Sequence, residues 1–383
     1  MNNKQRMHAV LEGKPIDRMP VWASYSQLYH QDHFDELTDM PRHHYTKWLY
    51  APLPEFLSTY RRILAAAPFD IAQPPPIPSP HERECHEYVE RDGIPYLHNK
   101  KTDEWKELPT KTKAGHASED YHAQENQTVF TVEDIDRHVE IIPAADQVAR
   151  GEVDGYRAFV REFGATEFVL TGGVVGTIYR CGQYVGQTNL FMKLIEDTEL
   201  VERLCERITD RNIERIRFLA AAGGDAIYID DATATSDMIS VAMYERFCLP
   251  YMKRLVDEIH RLGHKAIVIY FGGVMDRLEQ IASLGADGLN MEASMKGYVN
   301  DIGEIARRIG GRVTLFTNLN PHTHIELLPL GALKAEMRRQ ADAARSARGL
   351  VMCSASPITM GTPLSRVRAF IDYAHSMPPA GRA

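Results

Sequence analysis

Two adjacent acids offer the clearest chemistry in this sequence. Asp230 and Asp231 close the apolar run DAIYIDD, and Glu292 closes a similar run. Side chains alternate along a strand, so at most one acid of the pair faces the interior of a fold. An interior carboxylate can bind a cation, hold a protonated ring nitrogen, or act as a general acid or base. The other acid is expected to bind a backbone N–H or cap the next loop, and solvated loop acids are the alternative.

Aromatic and amide side chains follow other apolar runs. Tyr270 precedes two glycines and can stack on a planar ligand, or else it is a core tyrosine. Asn318 and Asn320 in TNLNP can bind a heterocycle or a carboxylate, although asparagine also favours a turn before proline. We therefore take Asp230, Asp231, Glu292 and Tyr270 as catalytic candidates. The candidates for substrate binding are Trp22, Tyr25, Arg180, Asn318, Asn320 and Ser356.

Three further patterns carry less chemistry. TGGVVG at 171–176 lacks the Lys-Ser/Thr of a Walker motif, and its small residues are expected to leave room for a large ligand. The histidines near the N-terminus have no defined third ligand, so we interpret them as surface residues and predict no metal site. The five cysteines form no CxxC pair and are interpreted as buried free thiols. These histidines are His30, His33, His43 and His44.

The second half of the chain alternates short apolar runs with amphipathic helical stretches. The clearest predicted helix is Thr198–Ala222, which two glycines end, and Val241–Leu262 follows the same plan. Runs apolar on both faces are typical of a parallel sheet. The predicted strands are Glu167–Val174, Asp225–Asp231, Lys265–Phe271, Asp287–Ala293, Val313–Leu319 and Leu350–Ser356.

Two runs in the first half, Met19–Ser24 and Phe69–Gln73, bring the number of predicted strands to eight. Eight strands favour a (β/α)8 TIM barrel, an α/β fold, over a doubly wound sheet, which would show a glycine-rich phosphate turn. The charged and turn-rich region 81–142 interrupts the alternation and predicts an inserted hairpin or meander over the barrel mouth. We expect residues 1–383 to form a single domain.

Composition excludes several classes of function. The formal net charge is -8 and is spread along the chain, which disfavours a nucleic-acid-binding protein. The longest apolar runs are far shorter than the ~20 residues that cross a bilayer. No secretory leader is recognised, so the expected location is the cytoplasm.

Long segments of this chain resemble the uroporphyrinogen decarboxylase-like superfamily, which includes corrinoid-linked methyltransferases. The opening MHAVLEGKPIDRMPVWA is similar to the family's first helix and strand, and the stretch 194–268 is similar to its central region. TNLNP and MGTPLSRVRAFIDYA are similar to its closing segments. The resemblance covers nearly the full chain and implies a barrel enzyme.

Two departures from the family's patterns bear on which branch of the superfamily this chain resembles. The decarboxylases carry an Arg-Gln-Ala-Gly-Arg motif that binds porphyrin carboxylates, whereas the matching region here reads WASYSQLYHQ. The zinc-dependent methyltransferases use His-x-Cys and a later Cys, where this chain has Tyr270-Phe271-Gly272 and Ser356. None of these three side chains is a usual zinc ligand, so no zinc is expected.

The resemblance then implies the zinc-free branch, which moves a methyl group between a corrinoid protein and tetrahydrofolate. The chain has no cobalamin-binding Asp-x-His-x-x-Gly motif, so the corrinoid would arrive on a partner protein. The alternative is a lyase or decarboxylase acting on a small aromatic or carboxylated compound, with Arg180 as the nearest cation. A third interpretation is a binding protein without catalysis, and a homodimer stays open.

Overall fold

The fold is that of a computed structural model, which describes residues 1–108, 127–295 and 297–380. Eight parallel strands form a single sheet in the order β1-β11-β10-β9-β8-β7-β6-β2. This confirms the (β/α)8 TIM barrel. The barrel strands are β1 Val21–Ala23, β2 Ile71–Ala72, β6 Phe168–Val175, β7 Ala226–Asp231, β8 Lys265–Tyr270, β9 Gly288–Met291, β10 Thr314–Phe316 and β11 Leu350–Ser354.

Each of these strands lies within one residue of a predicted run or inside it. Apolar side chains on both faces of the runs are buried between the barrel interior and the helices, as a parallel sheet requires. One cluster of buried apolar residues joins the barrel interior to the helix layer. The strand ends that carry the candidate residues therefore meet at one face of the barrel.

The buried carboxylate of Asp70 joins the two outermost strands of the sheet. Its backbone N–H donates to the carbonyl of Val21, and its carboxylate accepts from the Val21 N–H, both at 2.9 Å. Burial alone would raise the pKa of Asp70, but hydrogen bonds from His375 and Arg18 outweigh it and hold the pKa below its ordinary value. An ion-paired side chain thus completes the barrel where ladder bonds are few.

The helices surround the barrel, and the first crosses its N-terminal end. The helix Thr198–Ala220 matches the predicted one, and Gly223 after it has a φ of +82°. The others are Asn3–Leu11, Ser26–Asp32, Phe34–Thr38, His44–Leu49, Leu53–Ala66, Pro80–Cys85, Val132–His138, Ala144–Ala149, Asp154–Phe163, Thr177–Val185, Gln187–Glu196, Val241–Phe247, Leu249–Arg261, Leu278–Ser283, Ile302–Ile309, the π-helix Pro321–Glu326, Leu330–Ala343 and Leu364–Ser376.

The helix predicted at 241–262 is two helices. They meet at Cys248, whose φ of -121° and ψ of -57° depart from helical values. Pro250 stands in the first turn of the second helix, where it has no N–H to donate and its ring would clash with the carbonyl four residues earlier. The prediction of a stop at Gly263 is confirmed by its φ of +83°.

The inserted meander is confirmed as a three-stranded antiparallel sheet. Its strands are β3 His86–Arg91, β4 Ile94–Asn99 and β5 Glu104–Glu107. Part of the predicted region, 109–126, lies outside the described residues. Of the described part of 81–142, no residue lines the cavity at the barrel mouth, so the expected cover over the mouth is not seen there.

The cysteines are all buried free thiols, as predicted. Among the described residues, no helix has the length and apolar character needed to span a membrane.

Candidate active site

A cavity of about 420 Å³ opens at the C-terminal ends of the barrel strands. This volume is in the usual range for sites that bind small molecules. Four of the predicted site residues contribute to its wall: Tyr25, Asp230, Glu292 and Ser356. The complete wall is Tyr25, Leu28, Val175, Tyr179, Asp230, Ala232, Phe271, Glu292, Ser356 and Pro357. We call this cavity the mouth.

Asp230 is the acid of β7 that faces the mouth. It pairs in register with Val175 on one side and Ile269 on the other. Burial raises the pKa of Asp230 to about 8, and the neighbouring charge of Asp231 adds to the effect. No cation in the described ranges forms an ion pair with it. At neutral pH, Asp230 is therefore mostly a neutral carboxylic acid that can donate a proton.

Asp231 faces the opposite way, toward the helix layer, and it does not line the mouth. Its Oδ1 accepts the backbone N–H groups of Thr233 at 2.7 Å and Ala234 at 2.9 Å. Burial raises its pKa to about 6, and these N–H groups oppose the rise. The prediction of a catalytic Asp231 is corrected: the residue fixes the loop after β7. The split between the two acids agrees with the alternation expected from the sequence.

Glu292 enters the mouth at the end of β9 and is held by its surroundings. Its Oε2 accepts a hydrogen bond from the hydroxyl of Tyr298. Its carbonyl accepts from the side-chain amide of Asn300 at 2.9 Å and from that of Asn318 at 3.4 Å. Burial and the bond to Glu292 raise the pKa of Tyr298 above its ordinary value, so the tyrosine stays a donor. Glu292 is thereby presented in one orientation.

An aromatic wall lies beside these acids. Tyr25 stands at the start of the helix Ser26–Asp32 with a φ of 54°, a conformation that non-glycine residues seldom adopt. Its ring centroid is 5.5 Å from that of Tyr228 and 5.7 Å from that of Phe271. Phe271 follows β8 and lines the mouth. The mouth therefore has an apolar surface on which a planar ring can pack.

Two predicted aromatic site residues belong to the core. The hydroxyl of Tyr270 lies 2.8 Å from that of Tyr244 and 3.3 Å from the sulfur of Met252, and Tyr270 has no exposed surface. The prediction that it stacks on a ligand is wrong, because it points to the helices and Phe271 points to the mouth. Trp22 is also fully buried, packed edge-on against Phe316 at 5.8 Å.

The two predicted asparagines hold loops. The amide of Asn318 donates to the carbonyl of Asn300 at 2.8 Å and supports the carbonyl of Glu292. The Oδ1 of Asn320 accepts from the backbone N–H groups of the next helix, at 3.0 Å from His322. Neither residue lines the mouth, and the turn-forming alternative describes Asn320; both line a separate cavity of about 350 Å³, so their binding of a ligand stays a prediction.

The segment TGGVVG makes room for neighbouring side chains. A Cβ on Gly173 would overlap the ring of Tyr228, and one on Gly176 would overlap the carboxylate of Asp231. At these two glycines the space is occupied by the protein, while Gly173, Val174 and Val175 also line a second cavity. Arg180, just beyond this segment, lines a second cavity next to the mouth instead of the mouth itself.

The histidines near the N-terminus are placed differently from the prediction. His30 and His33 are only 3% exposed, and burial lowers the pKa of His30 to about 3. The surface interpretation is therefore wrong for these two. His43, His44 and Glu90 bring one potential ligand atom each within 4.8 Å of one another, a group outside the mouth that the sequence pattern did not reveal.

Several mouth residues were not predicted, notably Leu28, Tyr179, Phe271 and Pro357. Each follows a barrel strand by only a few residues. Because all βα loops of a barrel meet at one face, the first residues after every strand were the available signal. Tyr179 in particular lies in the first turn of the helix after β6.

Comparisons with known proteins bear on this site. A family model described as uroporphyrinogen decarboxylase (URO-D) matches residues 120–377. A uroporphyrinogen decarboxylase of Pseudomonas syringae pv. tomato is 28% identical over 263 residues, which are 66% of this chain and 70% of that protein. A second, of Pseudomonas fluorescens, is 32% identical over 183 residues, covering 46% of this chain and 47% of its own length.

A solved structure shares the fold over nearly the whole chain. It is a methyltransferase from Methanosarcina mazei, with a TM-score of 0.68 and 18% sequence identity. The match covers 98% of this chain and 99% of the other. At this identity, the likeness concerns the fold.

Proposed function

The chain belongs to the uroporphyrinogen decarboxylase family, a family of enzymes, and on that premise we propose that it transfers a methyl group between tetrahydrofolate and a corrinoid carried by a partner protein. The observation that carries this proposal is Asp230, a partly buried carboxylic acid whose pKa is raised to about 8 in an aromatic mouth. We place this activity in the cytoplasm.

The mouth suits a reduced pterin in shape and in polarity. Its volume of about 420 Å³ is adequate for a bicyclic ring, and Tyr25 with Phe271 supplies a packing surface. Glu292 offers carboxylate oxygens to the N–H donors along the edge of such a ring. Ser356, which follows β11, adds a hydroxyl that can donate or accept a hydrogen bond.

Methyl transfer from the folate requires a proton at one atom. The bond between the methyl carbon and the pterin nitrogen breaks, both electrons remain on that nitrogen, and the methyl group bonds to the acceptor. The nitrogen is a poor leaving group unless it takes up a proton. Asp230 supplies this proton as a general acid, and its pKa near 8 keeps the acid protonated at neutral pH.

The donor set of the mouth does not fit a zinc site of the His and Cys type. Its polar side chains, in the part of the chain that the structure describes, are the hydroxyls of Tyr25, Tyr179 and Ser356 and the carboxyls of Asp230 and Glu292. Activation of a substrate thiol uses soft sulfur and nitrogen ligands. A corrinoid acceptor needs no such activation, so this donor set supports the zinc-independent reaction.

Two measurements test the proposal. Calorimetry with tetrahydrofolate is expected to give a binding heat, and an optical assay is expected to show demethylation of methylcobalamin that depends on tetrahydrofolate. D230N is expected to bind the folate but to lose turnover. An absence of both folate binding and methylcobalamin turnover would show that the proposal is wrong.

A decarboxylase is the second candidate, favoured by the family description and by the names of the relatives. In that reaction a carbon–carbon bond breaks, carbon dioxide leaves, and Asp230 gives its proton to the carbanion. A cation would have to hold a substrate carboxylate, yet the mouth wall, within the described ranges, contains no Lys or Arg. Release of carbon dioxide from uroporphyrinogen or an aromatic acid, weakened in R180A, would favour this candidate over methyl transfer.

A further inference from the structure

A second cavity of about 590 Å³ lies beside the mouth. It is bounded by β6, by the helices Thr177–Val185 and Thr198–Ala220, and by the segment 138–147. Val175 of β6 contributes to the walls of both cavities, so the two cavities are adjacent and this residue lies between them. A ligand whose ring occupies the mouth would reach this second cavity by passing Val175, and we call the second cavity the arginine cleft.

Three arginines line the cleft: Arg180, Arg211 and Arg215. None of them forms an ion pair with any residue in 1–108, 127–295 or 297–380. Arg217, on the same helix as Arg211 and Arg215, instead pairs with both Glu214 and Glu258. Arg180, Arg211 and Arg215 therefore retain their capacity to bind an anion, in a chain whose net charge is -8.

The wall contains one carboxylate, that of Glu140, which forms no ion pair in the described part of the chain. His138 also lines the cleft, and Tyr184 and Asn212 add neutral polar groups. With three guanidinium groups against one carboxylate, the charge of the cleft is positive. Positive charge concentrated in a cavity attracts anionic groups more strongly than the same charge spread over a surface.

Arg180 gives the cleft its buried donor. Its Nε is buried and has no hydrogen-bond partner, while one of its terminal nitrogens donates to Gln183. Burial lowers the pKa of Arg180, and the charge of Arg211 lowers it further. Arg215 is held by the ring of Phe218, 4.8 Å from its guanidinium carbon. An anion between these groups would relieve their repulsion and supply the missing acceptor.

We propose that the arginine cleft binds the carboxylate tail of the ligand whose ring occupies the mouth. The substrate would then be a pterin conjugated to one or more glutamyl residues, an assignment that rests on the function proposed for the mouth. Guanidinium groups bind carboxylates in pairs of parallel hydrogen bonds. The volume of the cleft, about 590 Å³, exceeds what a single oxyanion fills, which favours a tail with several carboxylates.

The test compares ligands that differ only in the tail. Calorimetry on the full chain uses tetrahydropterin, tetrahydrofolate and its tri-γ-glutamyl conjugate. The conjugate is expected to bind at least about tenfold more tightly than tetrahydropterin. R211Q and R215Q are each expected to weaken the conjugate about tenfold and to leave tetrahydropterin unchanged. R180Q tests the role of the buried Nε–H donor of Arg180. The melting temperature of each variant shows whether that variant is folded.

Arg203 provides the matched control. It is an exposed arginine on the same helix, outside the cleft, and R203Q is expected to bind every ligand as the wild type does. Equal affinity for tetrahydropterin and the conjugate would overturn the inference and leave the function of the mouth intact. The inference would also be overturned if R203Q lost as much affinity for the conjugate as R211Q, because the effect would then be one of overall charge.

A separate arm uses a γ-glutamyl peptide without a pterin, and inorganic phosphate as a competitor. If no pterin binds but the peptide binds and depends on Arg211, the function proposed for the mouth fails and the carboxylate site stands. If phosphate binds at the cleft and the peptide does not, the carboxylate assignment is overturned.

Discussion

The inner and outer faces of the barrel strands carry similar side chains in adjacent positions with different roles. On β7, Asp230 faces the mouth and Asp231 faces the helices; after β8, Phe271 faces the mouth where Tyr270 is core. The inner residues line the cavity, while Oδ1 of Asp231 and the hydroxyl of Tyr270 are hydrogen-bonded within the protein. The residue type at a strand end therefore indicates little about function until it is known whether the side chain faces the mouth or the helices.

The largest effect is expected at Asp230. D230N removes the proton donor of the mouth and is expected to lower kcat about 10²–10⁴-fold. The wild-type rate of methyl transfer from methyltetrahydrofolate to cob(I)alamin should fall as pH rises through about 8, where Asp230 loses its proton, and D230N should lack this dependence. Steady-state kinetics from roughly pH 5 to pH 9 measure both. Unchanged kcat in D230N would remove Asp230 from the mechanism.

Although D230N is expected to lose activity, its free energy of unfolding at pH 8 is expected to exceed that of the wild type. The pKa of Asp230 is raised from 3.8 to about 8, so the folded protein keeps a proton that the unfolded chain releases between these values. The free energy of unfolding therefore falls as pH rises through this window. D230N is expected to be more stable than the wild type by about 1–3 kcal/mol at pH 8 and equal to it near pH 4, by urea denaturation.

Asp231 is expected to affect stability alone. D231A leaves the N–H groups of Thr233 and Ala234 without their acceptor and should lower the free energy of unfolding by about 2 kcal/mol. D231N retains an oxygen acceptor and serves as the control, with a smaller loss and with kcat per folded molecule unchanged. A D231N variant that folds normally but loses turnover would contradict the division between the two faces.

Phe271 gives a smaller effect, on binding. F271A removes part of the aromatic wall beside Tyr25 and is expected to raise KM or the Kd for the folate about tenfold, with kcat changed less. Tetrahydropterin titrations measure this loss without the contribution of the tail. Wild-type affinity in F271A would mean that the ring packs elsewhere.

Tyr270 gives the smallest effect. Y270F removes the hydrogen bond to Tyr244 and is expected to cost about 1 kcal/mol of unfolding free energy, with ligand binding unchanged. Thermal denaturation and calorimetry on the same sample check the two statements together. A loss of ligand affinity in Y270F as large as that expected for F271A would mean that Tyr270 takes part in ligand binding.

Much of the barrel was predictable from the sequence because its strands are continuous apolar runs between amphipathic helices. The alternation of side chains also predicted that Asp230 and Asp231 would separate. It did not predict which of them enters the mouth, because a shift of one residue in strand register exchanges the two faces. The same uncertainty placed Tyr270 in the site in place of Phe271.

Other site residues were less accessible to prediction. Asn318 and Asn320 are amides near a strand end, and only their partners show that they hold loops. Arg180 was predicted as a cation for a substrate carboxylate, but its association with Arg211 and Arg215 depends on how two helices pack. Residues from separate helices meet in space without any regular spacing in the sequence.

The sequence by itself determined the eight strands, the burial of the cysteines, the inserted meander and the kinds of groups at the strand ends. Local periodicity encodes these features, because burial on one or both sides of an element dictates where apolar residues recur. Only the tertiary structure decided which of two adjacent acids meets the cavity, which aromatic ring packs beside it, and which three arginines line one cleft. These depend on register and on helix packing, which bring together residues far apart in the chain.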